Sequence, residues 1–337
     1  MRIVTPRLLA VLAAAVLPLT SLIAQGPQVR RSEGPLLLTA NQGSASATLI
    51  ELKSGNIVAN IPVGVGPHEV AASADGKNAI VTVYGLQGPG NMLAVIDLET
   101  ATVKRMIDLG VYTRPHGARF LADNRTLLVT SETRQAVVVV DVEAGTVLGA
   151  IPTGNPGSHM LALPASMQKV YTANMFNGTL SEMDVASKTL LRSMPVATRT
   201  EGIGVTPDGA QAWVGSNDGK TVSVVDIAQW KVVHTMSGFG FPYRIGFSPD
   251  GTRAIVSDPM SDELRIYDVK GFTELGRVAT GQGSAPEGVH FSPDGKLAWI
   301  TLNGGNAIAE IDVAAKTVAR RFPTEIRPDG VTYINRP

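Results

Sequence analysis

The chain has 337 residues, no cysteine, and 29 basic against 29 acidic side chains. The missing thiols exclude disulfides, zinc ribbons, c-type haem attachment, a thiolate nucleophile and a lipidated N-terminus. A formal charge of zero gives no support to nucleic-acid binding, which relies on neutralising phosphates, and a chain of this size buries roughly 75% of its unfolded surface without staples.

Residues 1–25 read as a secretory signal. Arg2 and Arg7 form a basic front, Leu8 to Leu17 an apolar stretch, Pro18 breaks it, and Ala24 offers a small residue before Gln25. A polar linker, 26–32, follows, and residues 33–337 form one domain. The expected mature protein is periplasmic or extracellular, monomeric, and without a membrane span once the signal is cleaved.

Pro35–Asn41, Ala47–Leu52 and Ile57–Pro62 are the first three expected strands. From there one pattern recurs to the end of the chain: a Pro/Gly-marked loop, an apolar strand, a tight turn, two more strands, then an acid followed by an aliphatic residue. Counting the first group, the acid falls at Glu51, Asp97, Asp141, Asp184, Asp226, Asp268 and Asp312, with gaps of 46, 44, 43, 42, 42 and 44 residues. A period in the low forties filled with strands, and no helical periodicity beyond the signal, marks propeller blades. The tight turns are Pro207-Asp208-Gly209, Pro249-Asp250-Gly251 and Pro293-Asp294-Gly295, with weaker forms at Asp75-Gly76 and Asp123-Asn124. In them Pro presets φ, Asp folds onto nearby backbone and Gly takes φ > 0. Each blade then has four antiparallel strands, a to d from the inside out. The N-terminal group lacks strand a, and Asp329–Ile334 supply it. The expected fold is all-β, a seven-bladed propeller whose seventh blade is stitched from both ends, which removes exposed edges.

Tyr171-Thr172-Ala173-Asn174, the Ser-Pro-Asp-Gly turns and Val224-Val225-Asp226 resemble the YVTN-type repeat of secreted seven-bladed β-propellers, over residues about 33–337, with lactonase-like propellers as more distant relatives. The resemblance implies that the d–a and b–c loops gather around one mouth of the central channel and that ligands sit there. It covers binding proteins, surface-layer proteins and lactonase-like enzymes, so it speaks to architecture more than to activity.

The acids that close strand c accept backbone N–H groups and organise the next turn. Their repetition, on the face away from the expected site, marks them as structural. A different set carries chemistry. Aligned on the tight turns, one address at the start of strand a holds His68, His116, His159, Glu201, Tyr243, Glu287 and Asp329. A structural role tolerates one residue type repeated seven times, whereas this ring mixes three imidazoles, three carboxylates and a phenol. His68, His116, His159 and Asp329 are the candidate ligands of one divalent metal ion. A hydrogen-bond network and direct contact with a polar ligand are the alternatives.

Arg114, Arg199 and Arg327 lie two residues before the ring, and Arg244 follows Tyr243. The acids nearby favour pairing; unpaired, these guanidiniums would receive a carboxylate or phosphate. The b–c loops add Asn41, Tyr84, Glu132, Asn174, Asn217, Asp258 and Asn303, residue types that hold turns and also read hydroxyls. The longest of these loops, Tyr84–Asn91, is a candidate flap. His290, three residues past Glu287, reads as a packed strand histidine.

The functional expectation is a binding or scaffold module that presents its channel mouth to a small polar or anionic ligand, a metal ion or a periplasmic protein. The alternative is a metal-dependent lactonase-like hydrolase or lyase, with Glu201 or Glu287 as general base. Half of the ring's six imidazole and carboxylate groups are histidine, whereas the lactonase-like sites favour carboxylates and amides. That moves the expected ion from calcium towards zinc, copper or iron.

Overall fold

The computed structural model describes Met1 and residues 34–336. Met1 apart, the signal 1–25 and the linker 26–32 expected from the sequence lie outside the described residues. Among the described residues there are 28 strands in seven four-stranded antiparallel sheets, and no helix long and apolar enough to cross a membrane.

Blade one runs Pro67–Ala72, Asn78–Val83, Met92–Asp97 and Thr102–Asp108, and blades two to six repeat it. Blade seven combines Pro328–Ile334 with Leu36–Asn41, Ser46–Glu51 and Ile57–Pro62. Leu36 pairs with Ile334 and Leu38 with Thr332, so the C-terminal strand becomes the innermost strand of a blade begun by the N-terminal ones.

Alternation explains how one strand serves two interfaces. In Leu36–Asn41 all six residues are buried. Successive side chains point to opposite faces of a sheet, and here both faces are covered. Leu36 and Leu38 pack towards blade one, with Ala79, Val81 and Ile96, while Leu37 packs towards blade six, with Trp299, Ile308 and Phe322. Seven hydrophobic clusters arise in this way, one between each pair of neighbouring blades. The outermost strands face water on one side, as the exposed-first alternation of Thr189–Pro195 shows.

The repeated acids hold turns as expected. Asp97 Oδ1 accepts the Glu99 and Thr100 amides, each at 2.9 Å, and Asp312 Oδ1 accepts the Ala315 amide at 2.8 Å. In the a–b turns Asp208 and Asp250 accept the Ala210 and Thr252 amides at 2.9 and 3.0 Å. Antiparallel pairing puts the start of strand a, the end of b, the start of c and the end of d on one side. Asn41, for example, pairs with both Ser46 and Pro328, and Ser46 with Pro62.

Candidate functional site

The ring address is real and converges on the channel. His68, His116, His159, Glu201, Glu287 and Asp329 are each the second residue of an innermost strand. Tyr243 stands just before the short inner strand Ile245–Phe247. At this point the a–b register shifts: Pro67 pairs with Val83, but Val70 with Val81, and blades two, three, four and six do the same. Such a bulge sets two residues against one and re-aims side chains.

The residue after the ring is therefore part of the site, which strict alternation in the sequence does not reveal. In four blades it is Gly117, Gly202, Gly288 or Gly330, where a Cβ would strike backbone of the next blade; on Gly202 it would lie 2.0 Å from Tyr243 O. In the other three it is Glu69, Met160 or Arg244. Arg244 donates to Glu69 Oε1 from Nη2 at 2.7 Å and Nε at 3.1 Å, a buried pair that spans the channel between residues 175 apart in sequence. The Arg244 guanidinium also lies 4.0 Å above the Tyr243 ring and 3.8 Å from Asp329 Oδ1.

Two clusters share the mouth. In the first, His68 Nδ1 is 2.7 Å from Asp329 Oδ2, which also accepts Gln42 Nε2 at 2.7 Å. The His68 ring lies 4.7 Å from the His116 ring and 4.5 Å from the Tyr84 ring. His68, His116 and Asp329 each offer a ligand atom, all within 4.8 Å of one another. In the second, His159 sits between Glu132 and Glu201, 3.3 Å from each. Tyr84 donates to Glu132 Oε2 at 2.7 Å, and Asn217 donates to Glu201. The His116 and His159 rings lie 3.8 Å apart, tilted by 34°, which joins the clusters.

Environment gives two of these like residues different charge states. Burial pushes the His116 imidazole well below its usual range, and the His159 and His68 charges add to this. Burial also opposes a charge on His159, but Glu132 and Glu201 outweigh it and raise it to about 9. Both carboxylates stay below the usual range despite burial, because of His159. Asp329 likewise stays low despite burial, because His68 bonds to it. Glu287 is raised to about 9 by burial and by Asp329 beside it. Its neutral form suits it to donate a proton rather than accept one, while Asn303 Nδ2 donates to its Oε2 at 3.0 Å.

Of the expected metal set, His68, His116 and Asp329 come together, and His159 is held between its two acids instead. Among the b–c residues, Tyr84, Glu132, Asn217 and Asn303 join the ring. Asn41, Asn174 and Asp258 hold loops: Asn41 donates to Ser46 and Thr48, Asn174 to Thr179 and Ser181, and Asp258 accepts the Gly240 and Phe241 amides. The Tyr84–Asn91 loop is folded on itself, with Gly90 N donating to Tyr84 O at 2.7 Å, and tied to strand d by Asn91 Nδ2 on Asp108.

The expected pairing of the arginines with acids is found for Arg244 alone. Among the described residues Arg114, Arg199 and Arg327 make no ion pair; Arg114 lies 4.7 Å over the Tyr84 ring, and Arg327 donates to Asn303 at 3.4 Å. All three have positive φ (54°, 46° and 59°), at an address that holds Gly66, Gly157 and Ala285 in other blades. A long side chain in the left-handed region costs about 1–2 kcal/mol relative to a relaxed one, so the turn does not ask for arginine. Around them, Val65, Leu86, Val111, Phe176, Met260 and Ile326 are more than half exposed, all on d–a or b–c loops of this face.

Several buried atoms at the mouth have no hydrogen-bond partner among the described residues: His116 Nε2, Asp329 Oδ1, Arg244 Nη1 and Asn217 Oδ1. Unpartnered buried polar atoms are costly, and a ligand, ion or water commonly answers them.

The family model described as Lactonase, 7-bladed beta-propeller matches residues 78–322. No curated protein matches the chain. Among solved structures, a chain of Kuenenia stuttgartiensis hydrazine synthase is similar, with a TM-score of 0.70 and 17% identity, covering 80% of this chain and 96% of that one. At that identity the likeness is one of fold.

Proposed function

Because this chain belongs to the lactonase seven-bladed β-propeller family, we propose that its channel mouth is its working face. There it acts as a binding module for a small anionic ligand, anchored by a divalent ion on His68, His116 and Asp329. We propose the periplasm or the outside of the cell as its location, a reading that rests on the expected secretory signal alone.

One observation carries the reading: His116 is fully buried and held neutral, its Nε2 has no partner among the described residues, and one of its ring nitrogens lies within ligand range of His68 and Asp329. Neutral imidazole is the form that binds metal, and two imidazoles with one carboxylate suit zinc, copper or iron. Unpaired Arg114, Arg199 and Arg327 around the ion would receive the anionic end of the ligand, and the exposed apolar loop residues its body.

The test is thermal unfolding of EDTA-treated protein with Zn²⁺, Cu²⁺, Fe²⁺, Mn²⁺ or Ca²⁺. An ion at 100 times its dissociation constant adds about 2.7 kcal/mol. For a domain of about 300 residues that raises the midpoint by about 4 °C. The rise should vanish in His116→Ala and Asp329→Asn. No rise with any ion, or a rise those variants keep, would refute the site.

A second reading, lactone hydrolysis, is favoured by Glu287. A carboxyl that keeps its proton near neutral pH is suited to protonate the alkoxide released when water opens a lactone ring. Turnover of γ- and δ-lactones, lost in Glu287→Gln with the thermal midpoint retained, would support it.

A further inference from the structure

The Glu69–Arg244 pair stands between the ring residues of the mouth and the other half of the channel, and both residues face that half. Beyond the pair lies a cavity of about 520 Å³, which runs to the a–b turns on the opposite face. Ligand sites typically occupy about 300–1,000 Å³ and combine apolar walls with a few placed polar groups. Here the walls include Ile203, Phe247, Phe291 and Val331.

The inner strands meet this cavity at a second ring address, three residues past the first. Register fixes it, since Ala71, Arg119, Ala162, Gly204, Gly246 and His290 oppose Ile80, Leu128, Tyr171, Trp213, Ile255 and Trp299 on their b strands. Thr332 completes it, opposite Leu38. Five of these seven side chains are small or absent, and two carry chemistry. Arg119 and His290 stand in opposed blades, two and six.

Arg119 makes no hydrogen bond or ion pair through its guanidinium among the described residues. Glu69 is the acid that acts on it, and Glu69 Oε1 is already engaged by Arg244 at 2.7 Å. His290 is likewise without a side-chain partner. Burial, with the Arg119 charge beside it, takes the imidazole down to about 3, so at neutral pH it offers one donor and one acceptor and no charge. With Arg244 engaged by Glu69, the free guanidinium of the cavity is that of Arg119, which is open to the channel solvent and stands among apolar walls.

We infer that this half of the channel is a second binding site, separate from the mouth, for a small organic carboxylate with an apolar body. The carboxylate takes the two-pronged guanidinium of Arg119, His290 supplies a further hydrogen bond, and the body lies along Phe247 and Phe291.

The test is titration calorimetry on the purified protein with hexanoate and benzoate as probes, and with hexanamide and inorganic phosphate beside them. Both carboxylates should bind, hexanamide and phosphate at least about tenfold more weakly, the loss expected when a charged hydrogen bond or the apolar contact is missing. Arg119→Ala should weaken the carboxylates by at least about tenfold and His290→Ala by less. The fold already accepts alanine at this address, in Ala71 and Ala162, and Arg119→Gln gives a second route to the same measurement. In the mouth variant Arg114→Ala/Arg199→Ala/Arg327→Ala one carboxylate site should remain, and adding Arg119→Ala should remove it, which separates this site from the mouth. No binding of either carboxylate would overturn the inference. So would equal binding of hexanamide, equal binding by both Arg119 variants, or loss of binding in the mouth variant.

Discussion

His159 offers a quantitative test of the buried electrostatics at the mouth. Between Glu132 and Glu201 its imidazole is raised from 6.5 to about 9. A folded-state value above the unfolded one means that the protonated form is favoured by folding. Its contribution is therefore complete below pH 6.5 and is lost as pH rises through 9. At 1.36 kcal/mol per unit, the contribution is about 3.4 kcal/mol at low pH, about 2.6 at pH 7 and about 0.2 at pH 9.5. Replacing His159 by Gln keeps hydrogen-bonding capacity but removes the charge. With an unfolding entropy of about 0.6 kcal/mol/K for a chain of this size, the variant should melt about 5 °C below the parent at pH 5.5. The two curves should converge by pH 9.5. Thermal scans at fixed rate, in EDTA, every half unit from pH 5.5 to 9.5, measure this directly. Groups common to both proteins, Glu287 among them, cancel in the difference. A midpoint difference that stays constant across the range, or grows with pH, would show that His159 is not held as a cation between its acids.

Arg244→Met should cost about 3–5 kcal/mol, because Glu69 is left buried and charged without its partner; adding Glu69→Gln should recover most of the loss, and a double variant as unstable as the single one would remove the pair from the account. Gly202→Ala should lower stability by about 1–3 kcal/mol through overpacking, since its Cβ would meet Tyr243 O at 2.0 Å, whereas Gly88→Ala, with nothing within 4 Å, should change the urea midpoint little. Citrate should raise the thermal midpoint of the parent and not of Arg114→Ala/Arg199→Ala/Arg327→Ala; equal shifts would move anion binding away from the mouth. Deleting residues 328–337 removes the innermost strand of blade seven and should leave no cooperative melt, because Leu36–Asn41 then exposes the edge that Pro328–Ile334 covers.

The architecture is local information repeated, which is why the sequence alone carries it. Pro-Asp-Gly turns, short apolar strands and a closing acid each act within a few residues, and a constant spacing multiplies them into blades. The same alignment placed His68, His116, His159, Glu201, Glu287 and Asp329 at one address, because register transfers directly from blade to blade. Three things needed the closed ring. The bulge after the first inner residue brings Glu69 into the channel, where it meets Arg244 just ahead of the short inner strand of blade five, and alternation read along a strand assigns Glu69 elsewhere. Partners across the channel come from distant parts of the chain, as Arg244 finds Glu69, so sequence proximity left Arg114, Arg199 and Arg327 looking paired although they make no ion pair among the described residues. Charge state is the third. His116 and His159 occupy the same address in adjacent blades, yet burial keeps one neutral while two facing carboxylates hold the other protonated. Residue type fixes what a side chain can do, and only the neighbours assembled by the fold decide which of those things it does.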